Sequence, residues 1–298
     1  MVARHSFHAY PVLQDIATGT EFRDHLMTVN LHLINDAAHT ALFNMAADLY
    51  LLDKCVNSGH VYVRLYTWRP SAISLGYMQK AADTLKLDVM HRKAIEWVRR
   101  PTGGRAVFHT EDLTYSCIFP KSVTHMGESI AASYAIISNG LQTGLRNAGI
   151  KTASHDSVID ARQARREIKL PCFLAPNRDE IMVSGKKLIG SAQKRMAHAV
   201  LQHGSIPLTD AFQSLPNYMK ISSKEREVHK QLLQRKTISI SQVNPHLTEA
   251  ELRKHLADGF AHTLPFPVIS RNFAPQEIQA IRTTVTRPEF AQKWHPQN

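Results

Sequence analysis

Cys172 stands at the head of PCFLAPNRDEIMVSGKKLIGSAQKR, a segment that follows one cysteine with two adjacent lysines, Lys186 and Lys187, set among glycines. A thiol near an ammonium can carry an acyl group. A free cysteine, with a pKa of about 8.5, is only a few per cent thiolate at neutral pH, and a nearby cation raises that fraction. Upstream, RRPTGGRAVFH runs from Arg99 to His109. Its glycines, Gly103 and Gly104, let a backbone press against a ligand, and Arg100 and Arg105 can hold an anionic headgroup. Each motif has a plainer reading: Cys172 as a small buried residue, the glycine pair as a tight turn, His109 and His203 as polar residues at strand ends. The place of Cys172 beside Pro171, outside any apolar strand, favours chemistry. Cys55, on a helical stretch, and Cys117, inside LTYSCIF, read as structural.

Positioning these residues requires a particular set of elements. Between Asp36 and Ser58, apolar residues recur at Ala41, Leu42, Met45, Leu49, Leu52 and Val56, the spacing of an amphipathic helix that stops at Gly59. VYVRLYTW and SAISLGYM read as a strand pair turning at Arg69 and Pro70. A helical stretch over 80–92 leads to AIEWVRR, the glycine turn, AVFH and then LTYSCIF, so the turn lies between strands. Ser129 to Ala148 reads as a core-facing helix, with Gly149 after it. The polar stretch 154–169 has no periodicity and reads as a surface loop that delivers Cys172. DEIMVSG, KKLIGSAQKR and HAVLQHGSI then read as consecutive strands, with Ser184 and Gly185 at the first turn. In such a hairpin Lys186 and Lys187 point to opposite faces, and alternation alone does not choose between them. Beyond Pro207 the pattern becomes helical and basic.

The order is an α+β pattern: a mixed, largely antiparallel sheet flanked by helices, with a catalytic unit over about 30–220 and a helical C-terminal extension over 221–298 packed on it. The glycine pair lacks GxGxxG spacing, and no GxxxxGK[ST] motif occurs. The 298 residues, 43% hydrophobic, suffice for a full core. The 36 basic and 25 acidic residues give a net charge of +11, a field that attracts acidic partners. Nucleic acid is a poor candidate partner: the basic residues are scattered and aromatics are only 7%. The three cysteines form no CxxC pair, which argues against a zinc knuckle or a disulfide framework and fits a reducing, cytoplasmic setting. The first residues contain no apolar run of signal-peptide length, and no segment reaches the roughly 20 apolar residues of a membrane span.

At its two motifs the sequence resembles the biotin/lipoate protein ligase superfamily, most closely its octanoyltransferase branch, over roughly Ile34 to Pro207. RRPTGGRAVFHTEDLTYS matches that branch's glycine motif nearly throughout, and CFLAPNRDEIMVSGKKLIGSAQKR and LQHGSIPL match its second, with Lys186 where an arginine is usual. The resemblance implies that Cys172 is the acyl-thioester nucleophile and that Lys187, not Lys186, assists it. It implies an acyl tunnel and substrate contacts at Arg100, Gly103, Gly104, Arg105, His109, Ile189, Gly190, Ser191, Ala192, His203 and Gly204. It further implies an octanoyl donor on acyl carrier protein, a lipoyl domain such as the glycine cleavage H protein as acceptor, no cofactor or metal, no membrane, and a monomer. Two departures separate the sequence from ATP-dependent lipoate ligases, the runner-up. Arg105 stands where those enzymes usually have a third glycine, and they lack a cysteine at the place of Cys172. An amidotransferase acting between lipoyl domains, with the same cysteine and lysine, is the third reading. A catalytically dead binding relative is disfavoured by the presence of both Cys172 and Lys187.

Overall fold

Thr40, in extended conformation, accepts a hydrogen bond from Phe43 N and opens the first helix, α1 (Ala41–Ser58). The periodicity had placed that start at Asp36, but residues to His39 belong to a strand, β1 (Leu31–His39), where the Arg64 guanidinium holds Asp36 at 2.8 Å. Gly59, at φ +69°, ends α1 by donating to Cys55 O. These features come from a computed structural model that describes residues 29–123, 126–154 and 180–295.

After α1 the chain enters β2 (Val61–Trp68), and past Arg69 and Pro70 it enters β3 (Ala72–Leu75). The two do not form the expected hairpin. β2 already has β1 on one side and β6 (Asp112–Pro120) on the other, so it offers no free edge. β3 instead lies between β4 (Glu96–Arg99) and β5 (Val107–His109) in a separate three-stranded sheet. The helical stretch before β4 is two pieces, α2 (Ala81–Thr84) and α3 (Leu87–Arg92). Leu85 breaks it by adopting an extended conformation and bridging to Met219.

α4 (Ile130–Asn147) is capped by Ser129, as its spacing predicts. β7 (Ala153–Ser154), β8 (Ile181–Val183), β9 (Lys186–Arg195) and β10 (Ala199–Pro207) complete the antiparallel part of the main sheet, which, with β11 (Val268–Arg271) at its far edge, runs β11-β1-β2-β6-β10-β9-β8-β7. A 3-10 turn (Asp210–Asn217) is followed by α5 (Ser223–Lys236), α6 (Ile240–Val243), α7 (Glu249–Thr263), the edge strand β11 (Val268–Arg271), α8 (Pro275–Val285) and α9 (Pro288–Trp294). Only the β11-β1-β2 end is parallel, so the sheet is mixed and largely antiparallel with helices on both faces. The segment after residue 221 is not purely helical. It supplies β11 to the main sheet, and α7 covers the core beside α4, where Leu252, Leu256 and Phe260 meet Ile137 and Leu141. On the opposite face α1 and α8 bury Phe43, Leu51 and Ile281 against Tyr62, Ile118 and Leu201. Cys55 and Cys117 are buried free thiols, and burial pushes Cys55 up to about 12, which fits the structural reading of both. Among the described residues no helix is long and apolar enough to cross a membrane.

The β1–β11 edge contains a titratable contact. His32 stacks on Tyr62 with ring centroids 4.9 Å apart and accepts from Arg271 Nε at 3.3 Å, while Arg271 is paired with Glu277 of α8. Burial first, then Arg271, lowers the His32 pKa to about 4. The unfolded chain therefore binds a proton between about pH 6.5 and 4 that the folded protein refuses, so stability is present above 6.5 and falls as pH drops through that window. Urea denaturation at stepped pH is expected to show this slope, and a His32→Phe variant is expected to flatten it.

Candidate active site

Ser184 and Gly185, at φ +49° and +74°, turn the chain from β8 into β9. Just past the turn Met182 faces Lys187 but Ile181 faces Ile189, so β9 has one extra residue against its partner. This irregularity breaks the alternation on which a parity argument depends. The fold separates the lysines all the same. Lys186 reaches outward to Gln234 O at 3.3 Å, whereas Lys187 is 5% exposed and its Nζ lies 2.5 Å from Glu180 Oε1, itself buried. The Lys187 backbone is fixed from outside the sheet, because its carbonyl accepts from Ile238 N at 3.0 Å beyond the end of α5. Cys172 lies outside the described residues, as does the predicted loop over 154–169 except for Ser154, which belongs to β7.

The glycine turn between β4 and β5 is organised by Arg100. Its buried guanidinium donates to Ser74 O (3.0 Å), Gly103 O (2.8 Å) and Arg105 O (2.7 Å). These donors are spent inside the protein on the shape of the turn, not aimed outward at an anionic headgroup. A second turn backs the first: Tyr77 N donates to Thr102 O at 2.9 Å, and a Cβ on Gly76 would sit 1.9 Å from Gly104 O. Behind the turn His109 stacks on Trp68 at 4.0 Å, with Ser74 Oγ 2.8 Å from Nε2 and Asp112 Oδ2 2.9 Å from Nδ1. His203 of β10 lies with Thr102 Oγ1 2.6 Å from Nε2 and Asp48 Oδ2 3.3 Å from Nδ1. Burial lowers the His203 pKa, offset in part by Asp48.

Arg100, His109, Gly190, Ser191, Ala192, His203 and Gly204 line one cavity, so seven of the residues named from sequence converge there. Ile189 does not. It faces the other side of the sheet and packs in the core under α4 and α7, because alternation along the regular β9–β10 pairing sets it opposite to Gly190 and Ala192. Gly103 and Gly104 are exposed on the outer surface of the turn, and Arg105 stands beside them half-buried; none of the three is part of the cavity wall. Lys187 is three residues from Gly190 along the same strand.

The remaining wall is Met45, Tyr66, Trp68 and Ser74, from outside the motifs, with Val107, Thr114 and Ser205, which lie inside them without having been singled out. Asp48 carried a usable signal. It falls three residues after Met45 and four before Leu52, a carboxylate on the apolar face of a helix, and it is fully buried among Arg64, Tyr66 and Ser116.

The lipoyl protein ligase A/B catalytic domain matches residues 40–261. The chain belongs to this family. The match extends past Pro207, where the resemblance of the motifs ended, since α6 and α7 build part of the same core. The chain is 33% identical to octanoyltransferase LipM of Lysinibacillus sphaericus (strain C3-41) over 272 residues, 89% of this chain and 98% of the relative. It is 30% identical to octanoyltransferase LipM of Bacillus subtilis (strain 168), over 85% of this chain and 93% of that one. Among solved folds it is similar to lipoate-protein ligase A bound with ATP, with a TM-score of 0.68 at 20% identity over 88% of this chain and 95% of that one. A bi-partite lipoate protein ligase from Thermoplasma acidophilum gives 0.71 at 18% identity, over 88% and 96%. Those two likenesses place this family member in the lipoate ligase fold.

Proposed function

We propose that this member of the lipoyl protein ligase A/B family is an octanoyltransferase, moving an octanoyl group from acyl carrier protein to a lysine of a lipoyl domain, such as that of the glycine cleavage H protein, in lipoate assembly. The observation that carries this reading is the likeness, over nearly their whole length, to proteins named octanoyltransferase. The fold is common to ATP-binding ligases and does not choose; Arg105 and Cys172 favour the transferase.

In the proposed chemistry the Cys172 thiolate attacks the octanoyl thioester carbonyl, and the carrier's thiol leaves with a proton. The neutral ε-amine of the acceptor lysine then attacks the acyl-enzyme; an amide forms, the Cys172 thiolate leaves, and the amine's surplus proton passes to a base. Thioester exchange is nearly balanced and amide formation from a thioester is downhill, so no nucleotide is needed. Lys187, held as a buried ammonium opposite Glu180, supplies the positive charge that favours the thiolate and a proton for the leaving thiol. The net charge of +11 suits acidic carrier and lipoyl domains. A monomer in the reducing cytoplasm, where Cys172 stays a thiol, completes the reading.

The test compares two donors on one lipoyl domain: octanoyl-carrier without ATP, and free octanoate with ATP. Transfer from the carrier alone, with an octanoyl adduct on Cys172 by mass spectrometry, is the expected result. Strict dependence on ATP, or intact transfer in Cys172→Ser, would overturn it.

A further inference from the structure

Two hydrogen-bonded chains of the same composition meet at Arg100. In one, Arg100 Nε donates to Thr102 Oγ1 at 3.2 Å, that hydroxyl is 2.6 Å from His203 Nε2, and His203 Nδ1 faces Asp48 Oδ2 at 3.3 Å. In the other, Arg100 Nη1 donates to Ser74 Oγ at 3.2 Å, that hydroxyl is 2.8 Å from His109 Nε2, and His109 Nδ1 faces Asp112 Oδ2 at 2.9 Å. All seven residues are buried.

Their proton positions follow from what each group can do. Arginine only donates, so both hydroxyl oxygens are acceptors toward Arg100. A carboxylate only accepts, so each neutral imidazole carries its proton on Nδ1. Nε2 is then an acceptor, and each hydroxyl gives it its proton. Every bond points away from Arg100 toward an aspartate, and each donor polarises the next. The aspartates are themselves fixed: Asp48 accepts from Arg64, Tyr66 and Ser116, and Asp112 Oδ2 accepts from Thr114 and Ser205.

We propose that Asp48 and Asp112 are positioning residues that act through His203 and His109 and the Thr102 and Ser74 hydroxyls to set the Arg100 guanidinium, and with it the glycine turn of the acyl site. The proposal rests on the reading of that turn as part of the octanoyltransferase site. The guanidinium is anchored on two edges by the hydroxyls, and its remaining Nη2 donors meet Gly103 O and Arg105 O. Rotating it requires both chains to yield. His109 and His203 are then orienting groups with their acceptor nitrogens already occupied, not proton carriers. A second proton on either ring would turn Nε2 into a donor and break the bond that the hydroxyl donates to it. The ionisable groups acting on His203 are Asp48, Arg100 and His109.

The tautomers decide the proposal without reference to activity. The full chain labelled with 15N-histidine, with the two rings assigned by His109→Gln and His203→Gln, is expected to show both as neutral Nδ1–H forms by NMR. An Nε2–H form at either would overturn it. Kinetically, Thr102→Val and Ser74→Ala are each expected to lower kcat/KM roughly tenfold, the loss of one hydrogen bond to a charged group. Thr102→Ser is expected to recover most of the loss. The double variant is expected to lose more than the product of the single factors and to shift the Gly103 and Gly104 amide resonances. Purely multiplicative losses, or a serine no better than valine, would overturn the convergence on Arg100. The expected tautomers in the wild type and amide shifts in the double variant, with no carrier-dependent transfer by the wild type, would sink the assigned activity and leave the positioning intact.

Discussion

Lys187→Met is expected to lower octanoyl transfer at least about a hundredfold and to lower the melting temperature as well. A positioned acid or base contributes about 10²- to 10⁴-fold, and Lys187 is the buried lysine on the strand that continues into the cavity wall. The loss of stability has a separate origin. Removing one member of a buried ion pair costs about 3–5 kcal/mol, because a charge stays behind in a poorly solvated site; for a chain of this length that is on the order of ten degrees. A double variant, Lys187→Met with Glu180→Gln, removes both charges and is expected to regain most of the melting temperature while transfer remains lost. Glu180→Gln alone leaves the ammonium buried opposite a neutral amide. An intermediate loss of transfer is expected. Recovery of transfer together with stability in the double variant would reduce Lys187 to a structural residue. Calorimetry and a single-turnover transfer assay on the same four proteins separate the two effects.

What the sequence disclosed about this site follows from which interactions are local. The Ser184–Gly185 turn, the Ser129-capped α4 and the stop at Gly59 rest on backbone conformations and side-chain spacing that a few consecutive residues specify. β2 and β3 show the limit: each is recognisable as a strand, but whether they pair depends on β6, which arrives more than forty residues later and takes the edge. β11 was missed because its four residues are mostly exposed and too few to show alternation; its place is fixed by the register with β1. The choice between Lys186 and Lys187 came from family likeness, and parity was no help because one extra residue in β9 interrupts the alternation beside it. Ile189 faces the core by plain alternation, three residues before Ala192 on a regularly paired stretch. Asp48 and Ser74 lie outside the motifs, and Asp112 lies inside one that does not mark its role, since each has a partner dozens of residues away in sequence.

Gly76→Ala is expected to reduce transfer far more than it reduces stability. The added methyl would lie 1.9 Å from Gly104 O and 2.7 Å from Gly104 C, and both are backbone atoms that cannot rotate aside. One turn must therefore retreat from the other. The β3 side is the better anchored: Leu75 O accepts from Arg100 N, and Gly76 N and O are both engaged by Gln79. The glycine turn, exposed at Gly103 and Gly104, is the part that gives way. It carries with it the Tyr77 N to Thr102 O bond and the two carbonyls that Arg100 grips. Overpacking of this kind costs about 1–3 kcal/mol, a fall of several degrees at this chain length. A displacement of about an ångström in a substrate-contacting backbone can cost a hundredfold in rate, so kcat/KM is expected to fall by about that factor. Gly103→Ala provides the contrast. Its Cβ would meet nothing within 4 Å, so the fold is expected to keep its melting temperature. Any fall in its transfer rate would then come from substrate occupying that open space, and an unchanged rate would move the acyl donor's path to the inner side of the turn, along Ala192 and His203.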